Sequence, residues 1–364
     1  MTIADLSRSP LVAIWETTRA CDLACPHCRT CARSEPDPGE LSTAEAYDLL
    51  DQLRELDPGV LVLTGGDPLK RPDLHAIVEA AVRRGLEVAL APSVTPLLTA
   101  EAIARLAGAG VRRIAFSLDG PDAAAHDAFR GTPGSFDATL RAIDAVRRAG
   151  LALQINTSVT AVSAVRLRSL GRLVETIRPA LWSVFFVVPV GRAWRTLQFP
   201  AETCERLFHW LYDWTERTGL AATTTAAPAY RRVVLQREAQ RVRKQPGHHQ
   251  RPIPPGVNDG KGFVFISHRG DVNPSGFLPL RAGNVRADRL ADLYRMSPLF
   301  RELRAPWKLE GKCGACGFKE VCGGSRARAW VASGTYLAED PACVYQPYGF
   351  TRATNDPIRS PGLL

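Results

Sequence analysis

The sequence lacks any apolar run long enough to cross a membrane. Its most apolar stretch, Trp182 to Val190, falls far short of the roughly 20 residues a spanning helix needs. The N-terminus, MTIADLSRSP, lacks the basic-then-apolar order of a secretory signal, so a cytoplasmic location is expected and no membrane partner. No internal repeat is present, which excludes a repeat array. Zinc-finger, RNP and helix-turn-helix patterns are missing. The formal net charge of +9 therefore points to anionic partners other than nucleic acid. Much of the excess lies in Arg231 to Arg251, RRVVLQREAQRVRKQPGHHQR. That segment reads either as a solvated helix face with a loop or as a site for an anionic substrate or acidic peptide.

Cysteine is not scarce. Nine are present, grouped at 21–31 and 313–322, with Cys343 downstream and Cys204 alone. This is not the spread of a disulfide framework, and in a reducing compartment it reads as metal or redox work. Cys21, Cys25 and Cys28 form C-x3-C-x2-C in CDLACPHC. Three thiolates on a short loop can hold three irons of a [4Fe–4S] cluster and leave the fourth open. A structural zinc site usually takes four protein ligands. Cys313-x2-Cys316-x5-Cys322 with Cys343 offers four, and suits either a second cluster or zinc. Cys31 reads as a redox partner of Cys28, a spare ligand or a small residue, the last being favoured. Cys204, Trp182, Phe185 and Phe186 are expected in the core; Tyr230 either packs, the favoured reading, or faces the cavity.

Residues 11–190 alternate apolar runs with amphipathic stretches. The runs are LVAIWET, VLVLTG, LEVALA, VRRIAFSLD, LALQINTSV and LWSVFFVVPV. Helical spacing occupies 41–56, 72–84, 99–109, 135–149 and 164–178. Ser42 to Glu45 is a capping box, and Gly85, Gly110 and Gly150 stand where helices end. Such alternation predicts parallel strands with right-handed crossovers. Six strands favour an open or partial barrel, with ligands at the C-terminal strand ends. A further helix is expected at 201–217, a linker or lid from Arg241 to Gly262, a hairpin turning at Arg269-Gly270-Asp271, and a helix at about 288–303.

Chemistry-bearing motifs fall at those strand ends. Gly65-Gly66-Asp67-Pro68 follows the second strand, where two glycines permit close backbone approach; taken alone it is also a plain turn. Ser117-Leu118-Asp119-Gly120 ends the fourth strand, and Asp119 is either a ligand group or a cap.

These motifs, with His27 just before the third cysteine, resemble the radical S-adenosylmethionine (SAM) superfamily over most of the chain. The resemblance implies an α/β fold: a partial (β/α)6 barrel over 1–200, a helix and basic linker over 201–260, and a small C-terminal SPASM/twitch-like iron–sulfur domain over 261–364. It implies that Cys21, Cys25 and Cys28 hold a [4Fe–4S] cluster whose open iron binds SAM, and that an electron then cleaves the sulfonium to give methionine and a 5′-deoxyadenosyl radical. It places SAM contacts at Gly65, Gly66, Asp67, Pro68, Ser117, Asp119, Asn156, Ser158, Val190, Gly191 and Arg192. Arg130 either pairs with the SAM carboxylate or orders its loop. One auxiliary [4Fe–4S] cluster is implied on Cys313, Cys316, Cys322 and Cys343. A full SPASM set needs more cysteines, and here Ser275 and Ser325 stand near where others are expected.

The pattern is most similar to enzymes of the alternative haem pathways, which act on tetrapyrrole propionates, so an anionic small molecule is the expected substrate. Radical modification of a ribosomally made peptide is the alternative. With about ten residues before the first strand, an added peptide-binding domain is not expected. A flavodoxin or ferredoxin is the expected electron donor. A non-catalytic iron–sulfur carrier would explain the cysteines but not the glycine and SLDG motifs, and a zinc-dependent nucleic-acid binder would explain the charge.

Overall fold

The computed structural model describes residues 5–193, 198–244 and 256–350. Six parallel strands follow the apolar runs: β1 (Val12–Glu16), β2 (Val60–Thr64), β3 (Val88–Leu90), β4 (Arg113–Ser117), β5 (Ala152–Val159) and β6 (Leu181–Phe186). Between them lie α1 (Thr43–Leu56), α2 (Leu74–Arg83), α3 (Ala100–Gly108), α4 (Ala123–Arg130), α5 (Ser135–Arg148) and α6 (Leu167–Ile177). The expected capping box is present: Glu45 N–H donates to Ser42 Oγ, and Ser42 N–H donates to the Glu45 carboxylate. Gly85, Gly110 and Gly150 all carry positive φ after their helices.

The sheet is wider than six strands. After α7 (Ala201–Thr218), β7 (Ala222–Thr225) pairs parallel with β6. After α8 (Ala229–Lys244), β8 (Phe263–Ile266) pairs parallel with β1. Antiparallel β9 (Asp271–Asn273) and β10 (Gly283–Asn284) extend that edge, giving the order β10-β9-β8-β1-β2-β3-β4-β5-β6-β7. The expected linker is thus helix as far as Lys244, while 245–255 lie outside the described residues. The helix expected at 288–303 is two helices, α9 (Leu290–Met296) and α10 (Pro298–Leu303). Pro298 lacks an N–H, and Ser297 caps the second helix through Phe300 N–H. α11 (Gly311–Ala315) and α12 (Arg326–Ser333) are the last helices among the described residues.

Both faces of the sheet are covered, and strand alternation sorts them. Trp15, Leu61, Leu63, Ile114, Phe116, Leu153, Ile155, Trp182, Val184 and Phe186 are buried in the layer beneath the helices. The alternate residues line an inner cavity of about 840 Å³. Phe185, expected in the core, is one of these. Cys204 and Tyr230 are buried as expected, though Tyr230 also reaches the cavity.

Candidate active site

The cysteine loop leaves β1 and folds against the next strand end. Gly66 N–H donates to Thr18 O at 2.8 Å and Asp67 N–H to Ala20 O at 2.7 Å. A Cβ on Gly65 would lie 2.5 Å from Thr18 O, and one on Gly66 2.4 Å from Ala20 O. The glycine pair is therefore required by the approach of the loop backbone. Asp67, expected to contact SAM, has its carboxylate engaged by the protein. It is fully buried; its carboxylate accepts from Leu69 N–H, Ser93 N–H and Thr95 Oγ1–H. Pro68 opens a short 3-10 turn beside it.

Cys21 and Cys25 are buried and Cys28 is half-buried. Leu23 N–H lies 3.3 Å from Cys21 Sγ and Ala32 N–H 3.5 Å from Cys28 Sγ, and such donors stabilise thiolate charge. Burial pushes the Cys25 thiol up, and its neighbours Cys28 and Cys21 add to this against the pull of Arg130. The three sulfurs are therefore close enough to feel one another. A bound metal would favour the Cys25 thiolate against that burial. Cys31 takes a left-handed backbone, φ 51°.

Gly191 and Arg192, after β6, close over this loop from the far edge. A Cβ on Gly191 would lie 2.2 Å from Arg29 O. Arg192 N–H donates to Cys28 O, while its guanidinium donates to Cys25 O and Ala32 O, each at 2.9–3.0 Å. Arg192 thus braces the cysteine loop, a role its sequence position did not reveal. Val190 sits at the start of this turn, donating to Val188 O.

The SLDG turn is held by α4 and β5. Asp119 accepts from Ser158 N–H at 2.7 Å, and Arg130 Nη1 lies 3.5 Å from both its carboxylate and His27 Nε2. Asp119 N–H donates to His126 Nδ1 at 3.1 Å. Burial pushes the Asp119 carboxyl up against the pull of Arg130. Burial, then Arg130 and Arg192, lower the His27 pKa to about 3, so its ring is neutral where it stacks on Phe129, 4.2 Å away. Ser117 ends β4, in register with Asn156 on β5. Asn156 accepts from Gln154 Nε2 and lines the cavity with Thr64 and Arg29. The cysteine loop thus reaches the cavity through Arg29, and β5 reaches it through Asn156, the register partner of Ser117.

A buried polar network escaped the sequence reading. Glu16, at the end of β1, accepts from Arg29 Nη2 at 2.7 Å and meets His268 Nδ1 at 2.8 Å. His268 lies in the β8–β9 turn, beside Arg269, which pairs with Asp37. Its only sequence signal was an acidic residue closing an apolar strand.

The second cysteine set lies between α11 and the turn after α12. Asp340 N–H approaches Cys313 Sγ, Phe318 N–H Cys316 Sγ and Gly324 N–H Cys322 Sγ, each at 3.4 Å. Arg326 Nη2 lies 3.6 Å from Cys313 Sγ. Burial raises Cys313 and Cys343, and pushes Cys322 up to about 12. Among the described residues no three His, Cys, Asp or Glu side chains, in this set or in the first, are arranged to hold a single metal ion. Ser275 and Ser325 have structural work. Ser275 Oγ accepts from two turn N–H groups, and Ser325 caps α12.

Three arginines of the basic segment are neutralised. Arg232 pairs with Glu205, Arg237 with Asp213 and Arg241 with Glu216, so α8 is laced to α7.

A profile of the radical SAM superfamily matches residues 15–162. The chain is 40% identical over 358 residues to the AdoMet-dependent heme synthase of Oleidesulfovibrio alaskensis, covering 95% of this chain and 90% of that protein. It is 31% identical over 348 residues to the mycofactocin maturase MftC of Mycobacterium tuberculosis, covering 92% and 83%. The structure of Streptococcus suis SuiB bound to S-adenosylmethionine superposes with a TM-score of 0.72 at 17% identity, over 93% of this chain and 78% of that one, a likeness of fold. No helix among the described residues is long and apolar enough to cross a membrane.

Proposed function

Because this chain belongs to the radical SAM superfamily and is an enzyme of that class, we propose that it removes a hydrogen atom from a propionate side chain of a tetrapyrrole. Cys21, Cys25 and Cys28 would hold the [4Fe–4S] cluster, which supplies the open iron that binds SAM and the electron that cleaves it. The carrying observation is a large cavity beside the cysteine loop: Arg29 of that loop, Thr64 at the end of β2 and Asn156 on β5 all line it. The chain's own work is positioning and exclusion of water. Arg192 and Gly191 fix the cysteine loop. Gly65 and Gly66 let the second strand end approach it. Asp119, Arg130 and Ser158 order the turn beside it, with Ser117 and Asn156 as polar contacts for the nucleoside. The 40% identity to a haem synthase supports the tetrapyrrole. Peptide modification is the second reading, supported at lower identity by the mycofactocin maturase. A flavodoxin or ferredoxin would supply electrons, and Cys313, Cys316, Cys322 and Cys343 would hold one auxiliary [4Fe–4S] cluster.

Reduced, anaerobically reconstituted protein is expected to convert SAM to 5′-deoxyadenosine, and Cys21→Ala, Cys25→Ala and Cys28→Ala are each expected to abolish this. An iron tetrapyrrole deuterated in its propionates should pass deuterium into the deoxyadenosine. Cleavage that survives all three substitutions overturns the cluster assignment. Deuterium transfer from a peptide but not from the tetrapyrrole overturns the substrate.

A further inference from the structure

The arginines of α8 divide by helix face. Arg232, Arg237 and Arg241 meet acids of α7. Arg231 points the other way, and with Val234 and Glu238 forms an i, i+3, i+7 stripe on the cavity wall. Its Nη1 donates to Val257 O at 2.7 Å. Among the described residues it has no carboxylate partner. Burial works against its charge, offset by the Cys322 sulfur of the second cysteine set, so Arg231 stands between that set and the cavity.

A second guanidinium faces the same space. Arg113 opens β4 on the strand face shared with Ala115, and both line the cavity. Its Nη1 lies 3.5 Å from the amide oxygen of Gln154, and it too has no carboxylate partner among the described residues. Other charged groups in the cavity are engaged. Arg29 pairs with Glu16, Glu216 with Arg241, Glu238 accepts from Tyr212 Oη–H, and Asp259 accepts from Ala327 N–H.

Arg231 and the half-buried Arg113 both face the cavity with no carboxylate of the described residues paired to them, so a ligand carboxylate would find guanidinium N–H donors at each. The cavity, about 840 Å³, is of the size that takes a cofactor-sized molecule. We propose that Arg231 and Arg113 bind two different carboxylates of one polyanionic substrate, and that this pair selects for a tetrapyrrole bearing several propionates. The inference rests on the tetrapyrrole reading above. Guanidinium suits the task, since its fork matches a carboxylate in two hydrogen bonds.

The test is an anaerobic spectroscopic titration of the cluster-loaded protein with an iron tetrapyrrole carrying four propionates, and with its uncharged tetra-amide analogue. Wild-type protein should bind the tetra-acid more tightly. Arg231→Gln and Arg113→Gln should each weaken tetra-acid binding about 10- to 100-fold, while tetra-amide binding changes little. Arg231→Lys should lie between, and Arg237→Gln, on the α7 face, should bind as wild type. Unchanged cluster content and uncoupled SAM cleavage in the variants would show that the site is otherwise intact. Equal losses for acid and amide, or tetra-acid binding that survives both substitutions, overturn the carboxylate assignment and leave the tetrapyrrole reading standing. Failure of wild-type protein to bind either compound overturns that reading, and the assignment with it.

Discussion

At the scale of single residues, the site depends most on atoms that are absent. Gly66 has no side chain because the carbonyl of Ala20 occupies the place of its Cβ. Gly66→Ala is expected to push the cysteine loop away from β2, destabilise the protein by about 1–3 kcal/mol and lower cluster loading. Gly108 is the control: it ends α3, its Cβ position is open, and its φ is not positive. Gly108→Ala should be neutral or stabilising by up to about 1 kcal/mol. Thermal melting and iron content read both, and equal behaviour of the two variants would refute the steric argument. Asp67 teaches the converse. The GGDP motif gave no role to its carboxylate, which holds Ser93 and Thr95 of the neighbouring strand end. That role depends on residues 26 and 28 positions away, which no local pattern carries.

At the scale of elements, the apolar runs announced β1 to β6 because each is buried on both faces, beneath helices on one and around the cavity on the other. β7, ATTT in sequence, was hidden by its small size and its threonines. α8 was legible only as a solvated helix face, since seven of its residues are Arg, Lys or Glu, and the pairing of three of them to α7 was not. The second cysteine set was legible as a group, but its relation to the cavity was not, since Arg231 lies far away in sequence.

α4 was also missed, being short, and it carries a titration. His126 is buried, and burial followed by Arg130 lowers its pKa from 6.5 to about 4. The neutral ring accepts the Asp119 N–H. Between pH 6.5 and 4 the unfolded chain binds a proton that the native chain refuses. Stability is therefore present above the ordinary histidine value and falls as pH drops through this window, by at most about 3 kcal/mol. His126→Asn keeps an acceptor and removes the titration, so urea denaturation across pH 7 to 4 should show a shallower slope for the variant. An unchanged slope would remove His126 as the cause.

At the scale of the whole molecule, the segment beyond residue 260 is woven into the sheet rather than appended to it. β8 covers the edge of β1. Tyr294 Oη–H donates to Leu6 O at 2.7 Å. Gln52 donates to Val285 O, and Arg286 pairs with Glu45 on α1. Arg328 of α12 lies against the carbonyls of Phe186 and Val187 at the end of β6, and is held there by Asp340. The Glu16–His268 contact joins the β8–β9 turn to the strand that launches the cysteine loop. Two perturbations of this segment should therefore differ sharply. A chain ended at residue 260 exposes the β1 edge and the faces of α1 that α9 covers, and it is expected to fail to fold, read as loss of a cooperative melt and as proteolysis throughout. Replacing Cys313 and Cys316 together with Ser leaves those contacts in place. That variant should keep a cooperative melt, lose about one cluster's iron, and retain SAM cleavage uncoupled from substrate turnover. A truncated chain that melts cooperatively and cleaves SAM would show the barrel to be independent, and unchanged iron in the double variant would remove the second cysteine set from iron–sulfur chemistry.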